Sequence, residues 1–117
     1  MSDTTRKARF ARIWRGRTTR DKADTYERYW LETGIDPLLA RGAIEVQMLR
    51  DDRATDTEFM TISTWESIEA MTGGKGGDPT HAHHLDRDRE LLIELPERVQ
   101  ILRLLEAHRG HTHQAKR

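Results

Sequence analysis

The sequence predicts an α+β fold of the ferredoxin-like split βαβ type, with an antiparallel four-stranded sheet. Apolar and polar residues alternate with the period of a strand in three segments: 9–17, 43–51 and 57–65. Helical spacing predicts one helix over 18–34 and a shorter one over 66–71, and a last strand is expected over 99–105. The order strand, helix, strand, strand, helix, strand places both helices on one face of the sheet.

The first strand and first helix are predicted from their own patterns. In "RFARIWRGR", alternation puts Arg12 and Trp14 on the same face of a strand. In the helix, Ala23, Tyr26 and Trp30 lie at i, i+3 and i+7, which makes one apolar stripe. Gly34 lies where a helix C-cap is expected.

The remaining elements follow from turn signals. Residues 35–42, which include Pro37, are interpreted as an irregular connector. The polar stretch "DDRATD" predicts a hairpin between the second and third strands. The glycines of 73–77 end the short second helix. The stretch "LLIEL" before Pro96 fits either a helix or a strand.

A sheet with both helices on one face leaves its other face uncovered. On the first and third strands we expect this face to carry Phe10, Trp14, Phe59 and Trp65. An apolar area of this size is usually covered by another molecule. We therefore expect a homodimer in which two sheets pack face to face.

The composition limits the classes of protein to consider. Of 117 residues, 35% are hydrophobic and 34% are charged, which fits one domain with a modest core. The absence of cysteine excludes disulfides and thiolate metal sites. No apolar run is long enough to cross a bilayer, and the start does not resemble a signal peptide, so we expect a cytoplasmic protein that binds no membrane. A formal net charge of zero argues against nucleic-acid binding.

Three stretches resemble small members of the antibiotic-biosynthesis-monooxygenase superfamily, which are dimeric α+β barrels. They are "ARIWRGRTTRDKADTYERYWLETG", "TEFMTISTWESIEAM" and "HHLDRDRELLIELPERV". The most specific piece is a strand that ends in "TWES" and continues directly into a short helix. We place an N-terminal arm at 1–7, the domain that resembles this superfamily at 8–106, and a flexible C-terminal tail at 107–117.

This superfamily includes cofactor-free quinol or anthrone monooxygenases and haem-degrading monooxygenases, and a fold does not determine which reaction is catalysed. In the haem-degrading branch, a haem-binding histidine follows the strand-end tryptophan by nineteen residues, and His84 follows Trp65 at this spacing. The second tryptophan of that branch is replaced by Gly74, and its first-strand asparagine by Ala11 or Arg12. The resemblance implies either no cofactor, which is the simpler expectation, or haem bound by His84.

The stretch "GGKGGDPTHAHHLDRDRE" allows several interpretations. A phosphate-binding loop needs Ser or Thr after its lysine, and Gly76 stands there, so we expect a mobile loop that could act as a lid. Of His81, His83 and His84, two could bind a metal ion together with an aspartate. Metal sites usually need three or four ligands on rigid elements, so we expect surface or pocket-lining histidines and no metal site.

We expect the pocket of each subunit to lie between the helices and the sheet. The predicted walls are Trp14, Trp30, Phe59 and Trp65, and the predicted polar groups are Arg12 and His84. For Trp65, a place in the core beside the short helix is the alternative.

The expected function is cofactor-free oxygenation of a small aromatic or quinol-like molecule. His84 or His83 would remove a proton from the substrate, because the pKa of histidine lies near neutral pH. Arg12 would stabilise the enolate that forms, although an ion pair with Glu45 is the structural alternative for a buried arginine. Two other functions stay open: haem binding or degradation through His84, and ligand binding without catalysis by a dimer.

Overall fold

The computed structural model describes residues 6–110, which form a four-stranded antiparallel sheet with helices against one side. The strands are β1 (Phe10–Thr19), β2 (Glu45–Asp52), β3 (Asp56–Trp65) and β4 (Gln100–Arg103). In the sheet they lie in the order β2-β3-β1-β4. The helices are α1 (Ala23–Thr33), α2 (Ile35–Arg41), α3 (Ile68–Met71) and α4 (Asp88–Leu91), and a 3-10 turn, Arg20–Lys22, precedes α1. The predicted ferredoxin-like α+β fold is confirmed.

The two central strands form the rigid part of the sheet. β1 and β3 pair along their whole length, from Phe10 opposite Trp65 to Thr19 opposite Asp56. Trp14 lies flat over Gly16: a Cβ on Gly16 would be 2.5 Å from Cη2 of the Trp14 ring. A glycine is therefore needed at this position so that the indole can pack against the strand.

The prediction that Phe10, Trp14, Phe59 and Trp65 lie on the uncovered face of the sheet is wrong for all four. Phe10 is partly buried and packs against the cluster that contains Trp65 and Met71. Trp14, Phe59 and Trp65 are buried on the face that meets the helices. Alternation identifies which residues share a face, but it does not show which face the helices cover. The aromatic stripe of α1 determines the orientation, because Tyr26 and Trp30 pack edge to face on Phe59, with ring centroids 5.1 and 5.2 Å away.

The opposite side of the sheet, called the open face below, carries smaller aliphatic side chains. Register and alternation assign to it the apolar Ala11, Ile13, Leu49, Met60, Ile62 and Leu102, and also the polar Arg15, Glu45, Gln47 and Thr64 around them. Ile13 lies directly opposite Ile62, and Leu49 opposite Met60. Leu49 is 45% exposed and Leu102 is 43% exposed, so residues 6–110 of one chain leave this surface without cover.

The helix α2 occupies the segment interpreted as an irregular connector. Pro37 lies in its first turn, where a helix does not need the missing backbone N–H. Gly42 ends the helix with φ 115°, a left-handed conformation that glycine adopts without strain. Its N–H donates to the carbonyl of Leu38 or Leu39. The sequence pattern missed α2 because a seven-residue helix with an internal proline has little periodicity.

The other boundaries differ less from the predictions. Gly34 is the C-cap of α1, as predicted, and α3 begins after Ser67, whose side chain accepts a hydrogen bond from the N–H of Ala70. The last strand is shorter than the predicted 99–105. The stretch "LLIEL" is neither helix nor strand beyond Leu91, the last residue of α4.

Two hydrophobic clusters lie between the sheet and the helices. The larger one contains Trp14, Tyr26, Trp30 and Phe59, and the smaller one contains Ala43, Trp65 and Met71. Across residues 6–110, every helix is too short or too polar to span a lipid bilayer. Parts of the predicted arm and tail, residues 1–5 and 111–117, lie outside the described residues, and the domain boundaries stay a prediction.

Candidate active site

A cavity of about 70 Å³ lies between the helix-facing side of the sheet, α1, α2 and the segment that contains His83. Aromatic rings form part of its wall: Trp14 and Trp30 line it, with ring centroids 6.1 Å apart. The titratable groups that line it are Arg12, Tyr26, Arg41, His83 and Asp88. It is thus apolar on one side and rich in cations on the other.

The guanidinium of Arg12 belongs to the most deeply buried cationic residue of this cavity. The residue is 5% exposed, and its Nη2 donates to the carbonyl oxygen of His81 at 3.0 Å. Its Nε is buried and has no hydrogen-bond partner among the described residues. Glu45, the alternative structural partner, pairs in register with Thr64 on the open face and makes no ion pair with Arg12 within residues 6–110. Burial, and then the charge of Arg41, lower the pKa of Arg12 to about 10, so it stays protonated at neutral pH.

A second cation, Arg41, was not found by the sequence analysis. It is the last residue of α2 and lines the cavity. Its Nη1 is also buried without a hydrogen-bond partner in the described part of the chain. Burial lowers the pKa of Arg41. In the sequence, the only indication of its position was that Arg41 directly precedes Gly42, where a helix could end. This indication could be used only if α2 had been predicted first.

The histidines of "HAHH" separate in the structure. His83 lines the cavity, and its pKa is lowered by burial and by the charges of Arg41 and Arg12. Its imidazole is therefore neutral at neutral pH and can accept a proton. His83 and His84 are both exposed to solvent, and of the two only His83 lines the cavity. His81 contributes its backbone carbonyl to Arg12, and its ring lies edge to face with that of His83 at 5.8 Å.

A buried carboxylate, Asp88, closes the inner end of the site. Its Oδ1 accepts from the hydroxyl of Tyr26 at 3.0 Å, and its Oδ2 accepts from the N–H of Leu85 at 2.9 Å. Burial raises the pKa of Asp88, and the two hydrogen bonds partly oppose this effect. Asp88 was one of three aspartates, with Asp78 and Asp86, that the sequence offered as the acidic ligand of a metal ion. Its place in the core was missed, because an acidic residue among alternating charges gives no sign of burial.

The four predicted aromatic wall residues have two different positions. Trp14 and Trp30 line the cavity. Phe59 and Trp65 are fully buried in the two clusters and do not line it. Trp65 Nε1 donates to Ser63 Oγ at 2.9 Å, which fixes the ring in the core position considered as its alternative.

The segment from Asp78 onward is anchored to the sheet, whereas the glycines before it are not. Asp78 accepts from the N–H and the hydroxyl of Thr80 and forms an ion pair with Arg98. An antiparallel bridge between His81 and Arg98 continues this attachment. None of the glycines in 73–77 lines the cavity. The role of a lid stays a prediction for this run.

Neither a metal site nor a haem site is formed by the side chains considered. Within residues 6–110, no group of three or more His, Asp or Glu side chains is placed to hold a metal ion. Haem would require His84 to face a large pocket, yet His84 lies outside a cavity of about 70 Å³. Pockets for drug-sized ligands begin at roughly 300 Å³. The residues of a single chain therefore do not fit haem.

Two crystal structures share the fold of this chain. One is a Bacillus cereus protein described as a candidate antibiotic biosynthesis monooxygenase, with a TM-score of 0.60 and 13% identity over 89% of this chain and 100% of that one. The other is PA3566 from Pseudomonas aeruginosa, with a TM-score of 0.54 and 16% identity over 88% of this chain and 98% of that one. No family model and no curated protein matches the sequence. The resemblance to antibiotic-biosynthesis-monooxygenase-like proteins is confirmed at the level of the fold.

Proposed function

We propose that this protein is a cofactor-free monooxygenase of small aromatic or quinol-like molecules. One observation carries the proposal: a cavity walled by Trp14 and Trp30 brings together a buried guanidinium, Arg12, and a neutral imidazole, His83. The structural neighbour from Bacillus cereus, described as a candidate monooxygenase, supports the same reaction class. The cytoplasm is the proposed location.

The proposed reaction begins with proton transfer. His83 removes the hydroxyl proton of a phenol or quinol, and Arg12 stabilises the negative oxygen that forms. The electron-rich ring carbon then reacts with dioxygen. One oxygen atom becomes the carbonyl oxygen of a quinone and the other leaves as water, so the substrate supplies all the electrons and no external reductant is consumed.

The size of the cavity adds a condition to this proposal. An engineered cavity of roughly 150 Å³ holds a benzene ring, and the cavity described here has about 70 Å³. As it stands, it accommodates the polar edge of a substrate rather than a whole ring. Substrate binding therefore requires α2 or the segment around His83 to move outward.

We also propose that the active form is a homodimer, joined through the open face. Ile13, Met60 and Ile62 are only partly buried within one chain, and Leu49 and Leu102 are exposed. Pairing two such faces would bury this aliphatic patch, which has no other cover within the described residues. The residues proposed to form this interface are aliphatic, whereas the sequence analysis expected aromatic residues there.

Oxygen uptake tests the proposed reaction. Purified protein with no added cofactor is mixed with a panel of naphthols, quinols and anthrones, and dioxygen consumption is followed with an electrode. We expect His83→Ala to lower kcat by about 10²-fold or more, the usual contribution of a general base. His84→Ala tests the other candidate base, and a much smaller loss is expected because His84 lies outside the cavity.

The pH profile adds an independent readout. A base must be unprotonated, and the pKa of His83 lies below its ordinary value of 6.5. The wild-type rate is therefore expected to rise with pH, with a midpoint below 6.5, and to level off above that midpoint. No dioxygen uptake on the whole panel, or an unchanged rate in His83→Ala, would contradict the proposal.

A further inference from the structure

Arg12 and Arg41 combine buried guanidinium atoms with the absence of an ion pair within residues 6–110. Arg17, Arg50, Arg53 and Arg87 each lie between 2.7 and 2.9 Å from a carboxylate oxygen. Arg98 also pairs with a carboxylate, that of Asp78. Within residues 6–110, neither Arg12 nor Arg41 makes such a pair, although both are more buried than the arginines that do.

This placement is unfavourable for the empty protein. An uncompensated buried charge typically costs about 3–5 kcal/mol when its partner is removed. The neutral carbonyl of His81 satisfies one N–H group of Arg12, and its Nε has no acceptor in the described part of the chain. The two cations also repel each other, as the lowered pKa of Arg12 shows. An arrangement of this kind is expected where a ligand supplies the missing negative charge.

The net charge of the groups that line the cavity indicates the charge of a ligand that would neutralise it. Arg12 and Arg41 contribute two positive charges, and His83 is neutral at neutral pH. Asp88 contributes one negative charge when ionised, but both of its oxygens are already bonded to Tyr26 and Leu85. The sum is one unbalanced positive charge, which a monoanion neutralises.

Other groups of the cavity indicate a flat ligand. The indoles of Trp14 and Trp30 form an apolar wall, tilted by 33° to each other. Trp14 Nε1 is a further buried donor with no acceptor in residues 6–110. Guanidinium groups bind carboxylates through parallel N–H donors, which an isolated phenol oxygen uses less well.

We propose that the cavity recognises a hydroxy-substituted aromatic monocarboxylate, with the carboxylate bound by Arg41 and the hydroxyl oxygen beside Arg12. This proposal rests on the proposed function and keeps the same reacting hydroxyl group. It adds the chemical class of the substrate. Arg41 is the specificity-determining residue in this arrangement. It selects anionic aromatic molecules over neutral ones of the same shape.

Isothermal titration calorimetry with a matched pair of probes tests the proposal. Salicylate carries the carboxylate, and salicylamide has nearly the same shape without the charge. We expect salicylate to bind wild-type protein at least tenfold more tightly. Arg41→Gln should remove this preference by weakening salicylate at least tenfold, with salicylamide unchanged. Arg41→Lys should retain part of the preference for salicylate, because the positive charge stays but the two parallel N–H donors of the guanidinium are lost.

Controls separate recognition from general charge and from folding. Arg28→Gln removes an exposed positive charge on α1, and salicylate affinity should stay within twofold of wild type. Thermal melting of ligand-free Arg41→Gln should show no loss of stability, since the substitution removes a repulsion. A clear drop in its melting temperature would identify Arg41 as a structural residue and overturn the proposal.

Three binding results would also overturn it: equal affinity for both probes, no binding of either at millimolar concentration, or unchanged salicylate affinity in Arg41→Gln. The measurement does not depend on turnover. If salicylate binds as expected while the quinol panel consumes no dioxygen, the proposed oxygenation fails and the anion site stands. If dioxygen is consumed but the two probes bind equally, the anion site fails and the proposed oxygenation stands.

Discussion

The two faces of the sheet differ in the size, polarity and cover of their side chains. The helix-facing side carries Trp14, Phe59 and Trp65, and all three are buried by elements of the same chain. The open face carries medium-sized aliphatic side chains such as Ile13 and Ile62, and no described element of this chain covers it. Large rings bury more area per residue, so they stabilise the single chain. In the proposed dimer, the aliphatic face would be covered by the second chain.

The largest effect is expected from breaking the helix-facing side. Phe59→Ala should lower the free energy of unfolding by about 3–5 kcal/mol, because it leaves a cavity among Tyr26 and Trp30. Met60→Ala, at the next residue on the opposite face, is the matched control, and its loss should stay below about 1 kcal/mol. Urea unfolding at a protein concentration that dissociates any dimer measures both. Similar losses in the two variants would contradict the difference between the faces.

A smaller effect is expected at the buried carboxylate behind the helix-facing side. Asp88→Ala leaves the hydroxyl of Tyr26 and the N–H of Leu85 without acceptors, and we expect a loss of about 2–4 kcal/mol. Asp88→Asn should cost less than Asp88→Ala, because the amide oxygen can accept from the N–H of Leu85 while the NH2 group donates to the hydroxyl oxygen of Tyr26. An equal loss in the two variants would show that charge, rather than hydrogen bonding, is what stabilises this position.

The pKa of Asp88 gives this comparison a pH dependence. Burial raises its folded pKa above the ordinary value of 3.8. Its stabilising contribution is therefore fully present below that value and is lost as the pH rises through the folded pKa. The stability of Asp88→Asn should lack this contribution to the pH dependence. The difference in the free energy of unfolding between wild type and Asp88→Asn should therefore change between pH 3.8 and the folded pKa of Asp88.

On the open face, we expect the smallest change in the stability of the monomer and a clear change in dimer formation. Ile62→Lys places a charge at the centre of the aliphatic patch, opposite Ile13. We expect monomer stability to stay within about 0.5 kcal/mol, while the dimer dissociation constant rises at least tenfold. Analytical ultracentrifugation across a dilution series measures it. Thr25→Lys, at an exposed position of α1, is the control. A wild-type chain that is monomeric at all concentrations would contradict the proposed dimer.

Sequence patterns predicted the order of the strands, the apolar stripe of α1 and the cap at Gly34, because these depend on local periodicity and local backbone preference. They assigned the sheet faces incorrectly, because the side that a helix covers depends on contacts between distant segments. The site shows the same limit. Arg12 was predicted to need a partner, but Arg41 was missed because α2 has too little periodicity to predict. The spacing that favoured His84 contains no information about which neighbour, His83 or His84, lines the cavity.

The attachment of the segment that begins at Asp78 has a consequence for how this chain tolerates change. The carboxylate of Asp78, the bridge from His81 to Arg98 and the hydrogen bond from Ala82 to Glu97 hold the cavity side of the loop on the sheet. The preceding run, 73–77, has four glycines at positive φ, and an added Cβ there would meet no neighbouring atom within 4 Å. Residues inserted into this run would leave His83 in register with Arg12. It is therefore the natural place to graft a reporter peptide or to vary loop length without displacing the residues that line the cavity.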